Sequence, residues 1–163
     1  SDQPNQDYTA TAISVTGTIS MQGRIYRRDI PVTLTGTVYG PYTVSTTDVL
    51  TNNLHFPMVY GDTYTITTLQ PRYLNIPASL AKMITVTSAI TISSLELRAG
   101  NAIWTDDVIN VQDAGKIGAA YGIFDINNDA DVNFDGAVNI QDLAIVGGNI
   151  YLTSASAYAS WVP

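Results

Sequence analysis

Residues 131–142 read DVNFDGAVNIQD and place Asp131, Asn133, Asp135, Asn139 and Asp142 within a dozen positions, with Gly136 sixth. Carboxylates crowded this closely repel one another and cannot hydrogen-bond among themselves, so the pattern asks for a cation. Side chains at positions 1, 3, 5, 9 and 12, with the Ala137 carbonyl at position 7, form an all-oxygen set. That is the set a hard divalent ion such as calcium takes, with six to eight oxygens. Gly136 stands where such a loop turns sharply. An Asn/Asp-rich turn without metal explains Gly136 and two of the acids, but not a final Asp that opens a helix. The overlapping frame beginning at Asp125, Asn127 and Asp129 fails because Gly136 falls at its twelfth position, so Asp125–Asp129 reads as a linker.

A related segment lies upstream. DDVINVQDAGKIG (106–118) matches DGAVNIQDLAIVG (135–147): Asp106, Asn110, Gln112, Asp113 and Gly118 each precede their counterparts by 29 residues. This is an internal duplication. Aligned on Asp113 as position 12, the first loop keeps Asp106, the Val108 carbonyl and Asn110, but has Trp104 and Ala102 where ligands belong. A one-residue insertion lets Asn101 serve as position 1, with a carbonyl from Ile103, Trp104 or Thr105. Two calcium ions are therefore expected, the alternative being a degenerate first loop kept for symmetry of packing. At a thousandfold excess over the Kd, each ion adds roughly 4 kcal/mol of stability.

The elements that must carry these loops are short. DAGKIGAAY and DLAIVGGNI have apolar residues at helical spacing. Gly115, Gly118, Gly147 and Gly148 each lower helicity by about 1 kcal/mol, so packing or a ligand must hold these helices. Upstream of residue 98 the vocabulary is different. YTATAISVTGTIS, IPVTLTGTV, YTVSTTDV, DTYTITTL, KMITVTS and AITISSLEL are rich in Thr, Val, Ile and Tyr and largely alternate, with turn clusters such as YGPY, TNN, YGD and QPR between them. The expectation is an all-β antiparallel sandwich over 1–97, with MQGRIYRRDIP as an exposed arginine-bearing hairpin.

Charge divides the 163-residue chain at the same place. The first hundred residues balance six acids with six bases, whereas the last 63 carry eight aspartates against Lys116 alone, the whole net charge of −7. Such an acidic half repels nucleic acid and anionic lipid and attracts cations. No apolar run is long enough to span a bilayer. The chain lacks cysteine, hence disulfides and thiolate chemistry. Nor does a catalytic set emerge. His55 is the sole histidine and Glu96 the sole glutamate, and no second carboxylate pairs with Glu96 as glycoside hydrolysis requires. The chain reads as a non-enzyme.

An ordinary EF-hand has a helix before its loop and Glu at position 12. Here IFDINNDA is too short and polar for that helix, and both repeats end in Asp. Two loop-then-helix units of this kind, with DVNFDGAVNIQDLAIVG as the specific hit, resemble a dockerin domain over 98–163, a small all-α unit with duplicated EF-hand-like calcium motifs. The resemblance implies calcium-dependent binding to a cohesin on a scaffold or cell-surface protein, for a secreted, cell-surface-associated chain. Loop positions 10 and 11 meet the cohesin in that family, which points to Val111, Gln112, Ile140 and Gln141. The likeness of the two pairs would permit two orientations a half turn apart. Val111 and Ile140 are equally readable as core residues.

Residues 1–97 are similar to Cna-B or transthyretin-like sandwiches found beside dockerins as X-modules. Only Lys82 precedes residue 100, so no isopeptide bond is expected. The alternative function is a carbohydrate-binding or adhesive sandwich using Tyr26, Tyr39, Tyr42, Tyr60, Tyr64 or Tyr73 as stacking platforms, with the C-terminal part as a calcium-stabilised spacer. Trp161 and Pro163 are expected to clasp the C-terminal unit near Trp104.

Overall fold

Alternating Thr, Val and Ile in the first strand, β1 (Ile13–Met21), turn Val15, Ile19 and Met21 inward and leave the threonines at the surface. The structure is a computed structural model, which describes residues 11–24, 30–46 and 53–163. β2 spans Pro31–Gly36, β3 Tyr42–Ser45, β4 Asn53–Val59 and β5 Asp62–Thr68. Shorter strands follow: β6 (Arg72–Tyr73), β7 (Met83–Val86), β8 (Ile90–Thr91), β9 (Leu95–Leu97) and β10 (Ala99–Asn101).

One sheet runs β3-β2-β5-β7, antiparallel throughout. The other is built on β1, which pairs antiparallel with β4 and parallel with both β8 and β9. The expected wholly antiparallel sandwich is corrected at these two strands. A separate ribbon, β10-β6, leads out of the sandwich. Within it Gly100 has φ +114, and a Cβ there would stand 3.3 Å from the Val146 Cα. The backbone thus touches the helical part where only glycine fits.

Three helices follow: α1 (Val111–Ala119), α2 (Ile140–Asn149) and α3 (Ser154–Ala157). Asn110, Asn139 and Thr153 cap them, and in each case the third helical residue returns a bond to the cap backbone. These boxes satisfy N–H groups that would otherwise be orphaned.

The expectation of a small all-α dockerin domain is overturned. The described residues form a β-sandwich bearing three short helices of nine, ten and four residues, and no separate all-α unit is evident among them. The physical reason lies in the apolar residues. The interior runs without a break from Phe56, Tyr64 and Ile66 through Leu97 and Ala99 to Ile117, Val132, Phe134 and Val146. The C-terminal segment buries its apolar side chains against strands as well as against its own helices.

The terminal clasp also closes on the sandwich rather than near Trp104. Trp161 is buried, its Nε1 donates to the Ser93 carbonyl at 3.1 Å, and Lys82 Nζ donates to the Trp161 carbonyl. Tyr158 Oη donates to the Leu74 carbonyl at 2.6 Å and accepts from Arg98 N at 3.0 Å. The centre of the arginine hairpin, residues 25–29, lies outside the described residues.

Candidate cation loops and helix starts

Asp131 and Asp142 are fully buried, and Asn133 nearly so. The loop winds its backbone onto these acids. Asp131 Oδ1 accepts from Asp135 N at 3.1 Å and Oδ2 from Gly136 N at 2.9 Å. Asp142 Oδ1 accepts from Val132 N at 2.8 Å and Oδ2 from Asn139 N at 2.9 Å. Asp135 and Asn139 accept from Ala137 N and Gln141 N, and Gly136 makes the turn at φ +91. Burial pushes the Asp131 and Asp142 carboxyls above the ordinary carboxylate value, against the pull of those N–H groups, and the mutual repulsion of the acids adds to the rise for both.

Among the described residues the ion pairs are Arg72–Asp129, Arg98–Glu96 and Lys116–Asp129, so neither buried acid of this loop has a cationic side chain on it. Among them, too, no group of three or more His, Cys, Asp or Glu side chains is arranged as it would be around a metal. A site here therefore needs amide and carbonyl oxygens beside the carboxylates. The donor set, Asp131, Asn133, Asp135, the Ala137 carbonyl, Asn139 and Asp142, has that oxygen chemistry and fits calcium. Buried charge without a partner is costly, and a bound metal is one of its ordinary remedies.

The first loop repeats the scaffold. Asp113 Oδ1 accepts from Ile103 N and Oδ2 from Asn110 N, both at 2.8 Å, the same bonds Asp142 makes 29 residues later. Ile103 and Val132 are themselves 29 apart, so the backbone follows the gapless alignment. Yet the side chain that fills the gap is Asn101. It is 2% exposed, its Nδ2 donates to the Asp106 carbonyl at 2.9 Å, and its Oδ1 is buried without a hydrogen bond. A shallow cavity beside it is lined by Asn101, Trp104, Asp106 and Asp107. An orphaned buried oxygen is the feature a cation would satisfy. The Asp106 carboxylate accepts only a long bond, 3.4 Å, from Val108 N, and Asn110 serves as the cap of α1.

The two repeats close on each other. Ile109 exchanges backbone bonds with Leu152 and Tyr151, and Val138 with Gly122 and Ile123. Each loop is thus paired with the chain leaving the other repeat's helix. The residues at the two crossings, Gly122 and Tyr151, both have left-handed backbone, φ +85 and +69.

At the helix starts Val111 is 73% and Ile140 64% exposed, and Gln112 and Gln141 are exposed beside them. That decides between the two sequence readings of the apolar pair, which does not belong to the core. Elsewhere, His55 is exposed with its Nε2 3.2 Å from Ser14 Oγ, and Glu96 pairs with Arg98. Of the six tyrosines considered as a platform, Tyr39 is exposed and Tyr42 and Tyr60 are half-buried. Tyr64 and Tyr73 are fully buried, Tyr39 and Tyr60 meet at 50°, and Tyr26 lies outside the described residues.

Sequence reasoning missed Arg72 and Phe134. Phe134, the one aromatic residue in the second loop, is 2% exposed at φ +57, stacked on Tyr73 at 6.2 Å and 10°. The Arg72 guanidinium lies 3.9 Å from its ring centroid. A large apolar residue at position 4 of a polar loop was the available signal for Phe134.

No protein-family model matches the sequence, and no curated protein matches it. In structure it is similar to a chain from crystals of a type II cohesin–X–dockerin complex of Acetivibrio cellulolyticus, an N-terminal interface mutant. The TM-score is 0.67 at 23% identity, covering 88% of this chain and 98% of that one. A C-terminal interface mutant of such a complex gives a TM-score of 0.65 at 21% identity with the same coverage. At these identities the likeness establishes a shared fold.

Proposed function

We propose that the chain is a protein–protein docking module in which the two loop–helix repeats bind a cohesin-like partner when calcium fills their loops, and the sandwich supports them as an X-module would. The observation that carries this reading is the pair of buried acids, Asp131 and Asp142, that have no cationic side chain on them, in a loop whose remaining donors are all oxygen. Calcium would be held by Asp131, Asn133, Asp135, the Ala137 carbonyl, Asn139 and Asp142, and in the first loop by Asn101, Asp106, the Val108 carbonyl, Asn110 and Asp113. The ion would supply the positive charge that these acids lack. Residues 98–163 would serve as the docking part and 1–97 as its support.

The protein's own contribution is to present Val111, Gln112, Ile140 and Gln141 from helix starts fixed by the Asn110 and Asn139 caps. An exposed β-branched residue next to a glutamine gives an apolar anchor with a polar rim, the usual anatomy of a contact patch. Binding rather than catalysis, in an extracellular or cell-surface setting, follows from the same reading. It is supported by the fold shared with a chain of a cohesin–X–dockerin complex.

The test is a pull-down of the whole chain on an immobilised type II cohesin, with calcium and with chelator. Retention in calcium alone, lost in a V111D/I140D double variant, is the expected result. Calcium-independent retention, or none on any cohesin type, defeats the reading.

A further inference from the structure

We propose that Arg72, a residue of the sandwich, is a positioning residue for the cation loop 131–142. The inference rests on the calcium reading above and assigns that loop a support from outside its own segment. Arg72 is 4% exposed on β6, and its Nη1 donates to the carbonyl of Asp131 at 2.8 Å and of Ile126 at 3.0 Å. Asp131 is the first ligand position of the loop, and Ile126 lies in the linker leading to it. One guanidinium therefore sets the distance between the approach to the loop and its first ligand. Its face lies on Phe134, three residues into the loop, with Arg24 4.8 Å from the same ring and Tyr73 stacked beneath.

The loop is thus fixed at its backbone and at its one aromatic side chain by residues from β6 and the chain after β1. A positive group near a cation site also repels the cation. Here Asp129 Oδ1 lies 3.6 Å from Arg72 Nε, so the pair brings little net charge and the positioning effect dominates. Asp129 in turn reaches Lys116, whose Nζ donates to the Ala102 carbonyl, 29 residues before Asp131. Equivalent carbonyls of the two loops are thus each held by a cation. Outer groups that orient metal ligands change affinity about ten- to a hundredfold when removed.

The experiment is calorimetric titration of calcium into the chelator-stripped full chain, with urea unfolding in chelator run in parallel, for the wild type, Arg72→Gln, Arg72→Lys and Phe56→Leu. Phe56→Leu weakens the core on β4 and controls for lost stability. The expected result is second-loop affinity about tenfold weaker in Arg72→Gln, with partial recovery in Arg72→Lys and no comparable loss in Phe56→Leu. If Arg72→Gln does not fold, Phe134→Leu, which removes the ring under the guanidinium and no charge, replaces it and is expected to weaken binding in the same direction. Unchanged affinity, tighter binding, or a loss matched by Phe56→Leu overturns the positioning role while leaving the calcium reading intact. Failure of the wild type to bind calcium overturns both.

Discussion

Asp62 illustrates how much one carboxylate can organise without metal. It accepts from Thr37 Oγ, from Val38 N at 2.7 Å, Tyr39 N at 3.1 Å and Thr63 N at 2.7 Å. These bonds, that of Thr37 first, hold its carboxyl well below the usual carboxylate range. A depressed value means the stabilisation is present above the unfolded-state value of about 3.9 and lost as pH falls toward the folded one. Asp62→Asn is therefore expected to melt at a lower temperature than wild type at pH 7, with the gap closing below about pH 4. Thermal scans across that range measure it. Asp142→Asn has a different expected outcome, the loss of one bound calcium with the first-loop ion retained, read as stoichiometry by calorimetry. That the acids of the second loop gather in one place was legible in the sequence, because their spacing is local and the loop winds its own backbone onto them. Arg72 was not, since its partners Ile126 and Asp131 lie 54 and 59 residues away.

The long strands β1, β2 and β5 were legible from alternation, and α1 and α2, but not α3, from apolar spacing. β6 and β10, of two and three residues, are too short to show a period, and QPR reads as a turn although Arg72 opens β6. The parallel placement of β8 and β9 beside β1 depends on connections that alternation does not encode. The failed expectation of an all-α unit has the same root. Helical spacing identifies α1 and α2, but what Val132 and Phe134 pack against is a tertiary matter. Two predictions belong here. Asn139→Ala removes the cap of α2 and should lower unfolding stability by about 1 kcal/mol in urea titrations. Tyr158→Phe leaves the Arg98 N–H and the Leu74 carbonyl, both bonded to the buried hydroxyl, without that partner, and should lower stability by about 1–3 kcal/mol in the same measurement.

Over the whole molecule the interior is continuous from the sandwich into the repeats, and α3 and Trp161 return the chain to the strands. Calcium should therefore raise the melting of everything together. In scanning calorimetry the expected result is one transition moving upward with calcium. A sandwich peak indifferent to the ion beside a shifting second peak would mean that the two parts melt separately. The reciprocal pairing of the repeats carries a further consequence for the order in which the chain is made. Ile109 can complete its bonds only with Tyr151 and Leu152, about forty residues downstream. During synthesis the first loop thus emerges before the second repeat but waits for it to close. Of the two repeats, the one made first closes only once the second has been made, and a chain halted before Leu152 would hold Asn101 and Asp113 in a loop whose Ile109 bonds are still unmade.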